Sequence, residues 1–446
     1  MKTILTPLLA LCACLAAPVA SAGPVSLDAS LRNGSLPETE GETYLRVTVR
    51  GQPVHLDTRQ PMNLAVVIDR SGSMSESGPS GSEKMKDAIS SARFLVDQLS
   101  ERDTLTIISF DDGAEVLFPG VRMTKAAQAS AKERLGTLFA RGGTDMIAGL
   151  GAGIGAVKEH QKGDAVNRVI LISDGIPNVA EGLVDLARGA QGKGIGVSTL
   201  GVGVDYNEDL MTSIANAGNG GYYFVADASR LPGIFQRELH SLMAVVARNA
   251  ALKIEFGSGV KPVKVYGYDA QIGAESTLVR LGDVVGGQTS EVLFKLHHPA
   301  LSGARPIAHV ELVYLDAIKK ETVRSDRQVT ANFTADRHAV EASLDAATFA
   351  KEEQVATAEA VKTAMDAYAS GNKDQARQVI AARRAAIAAA PAPAAAAPMM
   401  EKATAGLQMA DDAVEGKGEM SQGYGGAAGM NAAAKKAKES VRSLSR

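Results

Sequence analysis

The sequence predicts an α/β protein: a doubly wound, mostly parallel sheet flanked by helices, with a β-sandwich and a C-terminal helical hairpin. Three observations predict it. Between Met62 and Arg248 short apolar runs alternate with amphipathic ones, the pattern of strands buried on both faces under helices. From Ala251 strand-like runs follow one another at turn-bounded intervals with no helical period between them, as in a sandwich. From Arg337 the helical period returns, and Gly371-Asn372 reads as the break between two antiparallel helices.

Residues 1–22 read as an export signal. Lys2 precedes an apolar run from Ile4 to Val19, and Ala20 and Ala22 supply the small residues of a cleavage site. The run is too short and proline-broken for a permanent span, so the mature chain is expected to be periplasmic, envelope-associated or secreted, with no transmembrane span. "LCAC" offers an alternative, a lipid anchor on Cys14. Cys12 and Cys14 are the 2 cysteines of the chain. Cleavage after Ala22 would leave no thiol chemistry and no Cys-based zinc site.

Residues 23–61 carry alternating runs such as "YLRVTVRG" and read as strands. They are too few to bury a core alone, so they are expected to join the sandwich of residues 249–335, with 62–248 inserted between. Within the insertion, "LAVVID", "TLTIISF", "RVILISDG", "IGVSTLGVG" and "YYFVA" read as strands. "SEKMKDAISSARFLVDQLS", "KAAQASAKERLGTLF", "TDMIAGLGAGIGAVKEH", "GLVDLARGAQGKG", "EDLMTSIANAG" and "ASRLPGIFQRELHSLMAVVARNA" read as helices. Residues 336–390 read as helical. Residues 391–446, rich in Ala, Pro, Gly and Met, are expected to be disordered, free to bring Asp411, Asp412 or Glu415 to other surfaces.

Composition excludes some functions. A formal net charge of -3 gives no case for nucleic acid. With no tryptophan and few aromatics, the cores must be built from Val, Ile, Leu and Ala.

Chemistry concentrates at three strand exits. "LAVVIDRSGSM" ends a buried strand in Asp69, then Ser71 and Ser73 at alternate positions. "RGGTD" places Thr144 and Asp145 before a helix, and "ISDG" ends another strand in Ser173 and Asp174. Ligands of an open parallel sheet bind beyond the carboxyl ends of its strands. If the strands are neighbours, Asp69, Ser71, Ser73, Thr144 and Asp174 converge as two carboxylates and three hydroxyls, with no His or Cys. An all-oxygen set suits a hard cation, Mg²⁺ rather than Zn²⁺, with Mn²⁺ or Ca²⁺ as substitutes.

Those residues carry a resemblance. From about Met62 to Arg248 the chain resembles a von Willebrand factor type A domain. "DRSGSM" matches the family's Asp-x-Ser-x-Ser motif, "GGTD" supplies the threonine, and "SDG" the second aspartate. The resemblance implies a metal-ion-dependent adhesion site. Ser71, Ser73 and Thr144 would bind the metal directly, and Asp69 and Asp174 largely through water. The sixth position would take an Asp or Glu carboxylate from a protein partner.

Plainer readings exist for each part. Asp69, Ser71 or Thr144 alone could cap a helix. "GLGAGIGA" contains a Gly-x-Gly-x-x-Ala pattern, but no strand precedes it, and small residues there suit close packing on the sheet. Asp111 and Asp112 of "SFDDG" read as a hairpin turn, and His297 and His298 as ordinary surface and rim residues. The sequence therefore points to an exported, non-enzymatic, adhesion-like binding protein. The alternative is a structural or assembly factor of the cell envelope with a stabilising metal site. An enzyme is disfavoured, because no general base is placed beside the motif.

Overall fold

The computed structural model describes residues 23–417, except 54–59, 78–82, 164, 175–176, 203–206, 226–232, 234–243, 269, 274–275 and 391. Residues 1–22, read as an export signal with Cys14 as an alternative lipid site, thus lie outside the described residues.

The chain opens with β1 (Val25–Leu31), β2 (Ser35–Pro37) and β3 (Gly41–Gly51). The α/β unit follows: β4 (Met62–Asp69), α1 (Lys84–Gln98), β5 (Thr104–Phe110), β6 (Ala114–Arg122), α2 (Lys125–Leu135), α3 (Met146–Glu159), β7 (Val166–Ser173), α4 (Leu183–Gln191), β8 (Gly196–Val202), α5 (Glu208–Ala217) and β9 (Asn219–Val225). Seven strands come next: β10 (Val245–Phe256), β11 (Lys261–Tyr266), β12 (Ala270–Ile272), β13 (Ser276–Val285), β14 (Thr289–His298), β15 (Gly303–Asp316) and β16 (Thr322–Thr334). Four helices close the described chain: α6 (Arg337–Ala342), α7 (Ala346–Ala369), α8 (Lys373–Ala389) and α9 (Ala397–Glu415).

The α/β sheet has the order β6-β5-β4-β7-β8-β9, parallel throughout except for the antiparallel β5–β6 pair. Every residue of β4 and β7 is buried, which their unbroken apolar sequences require. Alternate side chains of β4 enter opposite layers. Leu64, Val66 and Ile68 pack with Met85, Leu95 and Leu135 from α1 and α2, whereas Ala65 and Val67 pack with Leu150, Leu183 and Ile214 from α3, α4 and α5. Gly149 and Gly153 let α3 lie close on the sheet. A Cβ on Gly153 would stand 2.6 Å from a methyl of Val67, and one on Gly149 2.6 Å from the Phe110 ring. The glycines of "GLGAGIGA" therefore serve packing.

The remaining strands form two facing sheets, β1-β3-β14-β11 and β12-β13-β10-β15-β16-β2. Strand β3 pairs with β14 over Gly41 to Arg50, so residues before the α/β unit and residues after it share one sheet. Leu27, Leu45, Val47 and Val49 face Leu252, Ile254, Leu312 and Phe333 in a common core.

Three expectations need correction. "VVARNA" is not the end of a helix but the start of β10, which pairs with β13 and β15 through register shifts at its first residues. Val245 belongs to the α/β core, and Val246 and Ala247 to the sandwich core. One strand thus runs through both cores. His298 is not a rim residue. It is buried, with its ring edge-on to Phe333 at 5.1 Å, while His297 lies at the surface beside Glu40. Finally, residues 397–415 are not disordered. Helix α9 buries Ala403, Leu407, Ala410 and Val414 against Val361, Met365 and Ile380 of α7 and α8, so alanine-rich sequence makes a third helix of a small bundle. The α7–α8 break falls at Gly371, whose φ of +82° ends the helix, and Asn372, whose side chain caps the next.

Candidate functional site

Strand β4 lies between β5 and β7; from β4 the chain runs to β5 on one side, and from β7 to β8 on the other. The carboxyl end of β4 is therefore a topological switch point, where side-by-side loops open a crevice. Asp69 is the last residue of β4 and Ser173 the last of β7.

The structure brings four of the five motif residues into one hydrogen-bonded cluster. Asp69 Oδ1 accepts from the Ser71 backbone N–H at 2.8 Å, and Asp69 Oδ2 accepts from Ser173 Oγ at 2.5 Å. The hydroxyls of Ser71 and Ser73 are 3.1 Å apart, and Ser73 Oγ donates to Asp174 Oδ1 at 2.9 Å. Asp69, Ser71 and Asp174 are buried. Thr144, also buried, sits in a loop stitched to the first one: Gly72 N–H donates to Gly142 C=O at 3.1 Å, and Arg141 N–H to Arg70 C=O at 2.6 Å. The Thr144 carbonyl accepts from Asn178 N–H at 3.1 Å, which ties in the loop after Asp174.

The plainer readings fit poorly. Helix α3 is capped by Asp145, which accepts from Ala148 N–H, and not by Thr144. Ser71 makes no capping bond with its side chain. The Thr144 hydroxyl makes no hydrogen bond to any described residue. A hydroxyl that caps no helix, in a loop stitched to the one carrying Ser71 and Ser73, is free to serve as a cation ligand.

The Asp111–Gly113 turn is a support as well as a turn. Asp111 Oδ2 accepts from Arg70 Nε at 3.0 Å and Arg141 Nε at 2.8 Å, and Asp111 C=O accepts from Asp145 N–H at 2.6 Å. Although burial opposes its charge, the hydrogen bond from Arg141 and the charge of Arg70 hold the Asp111 carboxyl below its ordinary range. Asp112 accepts from Gly143 N–H at 3.0 Å, and its other oxygen leaves no room for a Cβ at Gly142, whose φ is +70°.

The two carboxylates are electrostatically uncomfortable. Burial pushes the Asp69 carboxyl up to about 6, against the hydrogen bonds from Ser173 and Ser71. Burial also raises Asp174, against the hydrogen bond and charge of Lys84. Lys84, the first residue of α1, has its Nζ 2.6 Å from Asp174 Oδ2 and 2.9 Å from Glu76 Oε2. Burial works against its charge, but these partners outweigh it and raise its pKa. Among the described residues no three His, Cys, Asp or Glu side chains form a metal-ligand set; this cluster has two carboxylates, completed by hydroxyls. Sequence reasoning missed Lys84 and Glu76 and gave Ser173 no role. Only the tertiary fold brings Lys84 and Glu76 to Asp174, though Ser173, beside the second aspartate, was in view.

A parallel sheet of this order between two helix layers, with Asp-x-Ser-x-Ser at the exit of its central strand, defines a class. The chain belongs to the von Willebrand factor type A domain family, whose model matches residues 63–237. It is 30% identical over 297 residues to the uncharacterized protein sll0103 of Synechocystis, across 63% of this chain and 68% of that one. It is 29% identical over 276 residues to the uncharacterized protein YfbK of Escherichia coli, across 58% of this chain and 46% of the relative, so it spans about half that relative's length. In fold it is similar to a von Willebrand factor type A protein from Catenulispora acidiphila, with a TM-score of 0.70 at 19% identity over 88% of this chain and 91% of the other. That likeness reaches beyond the α/β unit into the sandwich. Domains of this family are generally non-catalytic interaction modules and commonly hold a divalent metal. Among the described residues no helix is long and apolar enough to cross a membrane.

Proposed function

We propose that the protein is an exported, non-enzymatic binding protein that uses a divalent cation, Mg²⁺ in the first place, to grip an Asp or Glu of a protein partner. The observation that carries this reading is the cluster at the β4 exit: buried Asp69 and Asp174 facing each other through Ser71, Ser73 and Ser173, beside the open hydroxyl of Thr144. Two buried carboxylates that share one ammonium, itself also bound to Glu76, remain short of positive charge, and a cation would offset that cost. In the ligand set, Ser71, Ser73 and Thr144 supply neutral oxygens, and Asp69 and Asp174 the charge, largely through water. Such a set leaves the cation electron-poor, which suits an outside carboxylate.

The surroundings suit a protein partner. Phe139, Ile147 and Val179 are exposed, on the loops and helix turn adjoining Thr144 and Asn178, and Arg141 stacks over the Phe139 ring at 5.5 Å. Exposed apolar side chains around one strong polar contact form the pattern of an interface hot spot. We further propose residues 1–22 as a removed export signal and 62–248 as the binding domain, carried on a sandwich made from 23–61 and 249–335.

Asp69→Ala and Thr144→Ala test the site. Each should weaken Mg²⁺ binding in titration calorimetry at least tenfold, with the circular dichroism spectrum unchanged. Wild-type affinity in both variants would overturn the assignment. A pull-down from envelope extract with Mg²⁺ or EDTA would then show partners held only through metal.

A further inference from the structure

Lys84 occupies an unusual place for a lysine. Its side chain is 8% exposed, and it binds a carboxylate that the reading above assigns to the metal. The two oxygens of Asp174 are thereby divided. Oδ1 faces the serines, accepting from Ser73 Oγ at 2.9 Å, and Oδ2 is held by the ammonium at 2.6 Å. The position of Lys84 is over-determined. Its backbone N–H donates to Glu76 C=O at 3.0 Å, Ser77 and Glu83 form a β-bridge that closes the loop, and Glu76 Oε2 takes a second bond from Nζ.

We infer that Lys84 is a positioning residue that keeps Asp174 from closing on the cation with both oxygens, lowering metal affinity and raising affinity for an outside carboxylate. Two effects act together. The hydrogen bond withholds Oδ2, so Asp174 offers the cation a single oxygen, shared with Ser73. The fixed positive charge also offsets one carboxylate, so the loaded site is more positive than its metal and aspartates alone would make it. Both effects disfavour direct coordination of the cation by Asp174 and favour an incoming anion. Glu76 moderates this. Its side chain is 64% exposed and draws part of the Lys84 charge toward solvent. A purely structural ion pair would act otherwise, since removing Lys84 would then disorder Asp174 and weaken metal and carboxylate binding alike.

The inference rests on the metal reading, and the full-length protein separates the two. Mn²⁺ binding is measured by electron paramagnetic resonance. Acetate, the smallest carboxylate probe, is then titrated into the Mn²⁺-loaded protein and followed by loss of water-proton relaxation. Lys84→Met should bind Mn²⁺ about tenfold more tightly and acetate several-fold more weakly, the size of effect that outer-shell groups exert on metal sites. Lys84→Arg should stay close to wild type. Glu76→Gln, at an exposed position that does not threaten folding, should move the other way: Mn²⁺ a few-fold weaker, acetate tighter. If Mn²⁺ and acetate affinities fall together in Lys84→Met, or neither moves in Glu76→Gln, the inference is overturned while the metal site stands. Should wild type itself fail to bind Mn²⁺, or Asp69→Ala bind it equally well, the metal reading falls instead.

Discussion

Asp69 carries a conflict that is measurable without any partner. It is fully buried, and its carboxyl is pushed up to about 6. Because the folded-state value lies above the unfolded one, folding favours the protonated form. That contribution is fully present at low pH and is lost as pH rises through about 6. The size is on the order of 3 kcal/mol, from roughly 1.4 kcal/mol for each tenfold step. In EDTA, therefore, Asp69→Asn should match wild type near pH 4 and melt several degrees higher near pH 7.5, and it should lack the Mg²⁺-dependent gain expected of wild type. A differential scanning measurement at the two pH values checks this; a lower melting temperature for the variant at pH 7.5 would mean that Asp69 supports the fold. The motif was legible because its five side chains lie in three short, ordered stretches. Lys84 was not, since a lysine at a helix start reads as solvated surface until the fold sets it against Asp174.

At the scale of elements, α3 shows how glycine position decides its effect. Gly149 and Gly153 meet the sheet, whereas a Cβ at Gly151 or Gly155 would meet nothing within 4 Å. Gly153→Val should force α3 away from Val67 and Val169 and cost about 1–3 kcal/mol, as overpacking does. Gly151→Ala should instead stabilise the helix by up to ~1 kcal/mol through propensity alone. Chemical denaturation of the two variants gives the comparison; equal effects would show that α3 does not rest on these contacts. The glycine-rich pattern was visible in the sequence, and so was its place in a helix. Which glycines touch the sheet depends on the rotation of the helix about its axis, which the β4 and β7 side chains decide.

Across the whole molecule, the C-terminal bundle is a closed structure. Arg384 pairs with Asp411 at 3.0 Å, Arg377 with Glu415 at 2.8 Å, and Gln408 Nε2 donates to Asp412 Oδ1 at 2.8 Å. The carboxylates expected to roam on a flexible tail are engaged within the bundle, so they are not free to reach the proposed metal site. Ending the chain at residue 396 would uncover Val361, Met365 and Ile380, each worth roughly 1–3 kcal/mol of burial. The truncated protein should lose more helix by circular dichroism than the nineteen residues of α9 account for, and become protease-sensitive in α7 and α8. Its Mg²⁺ affinity should stay that of the full chain. A rise in metal or acetate affinity on truncation would show that these carboxylates do compete for the proposed site.

By itself the sequence determined the alternation of buried strands and amphipathic helices, the order of the three motif loops and the all-oxygen chemistry at their tips. These are local properties: hydrophobic period selects the element, and residue type selects the ligand chemistry. The tertiary structure alone decided that β3 and β14 share a sheet across the whole α/β unit, that β10 runs through two cores, and that α9 completes a bundle. It alone placed an ammonium on one oxygen of Asp174. Each of these joins residues far apart in the chain, where several partners satisfy the same local pattern. The choice among them follows from which arrangement best reconciles burial of the apolar faces with hydrogen bonding of the buried polar groups.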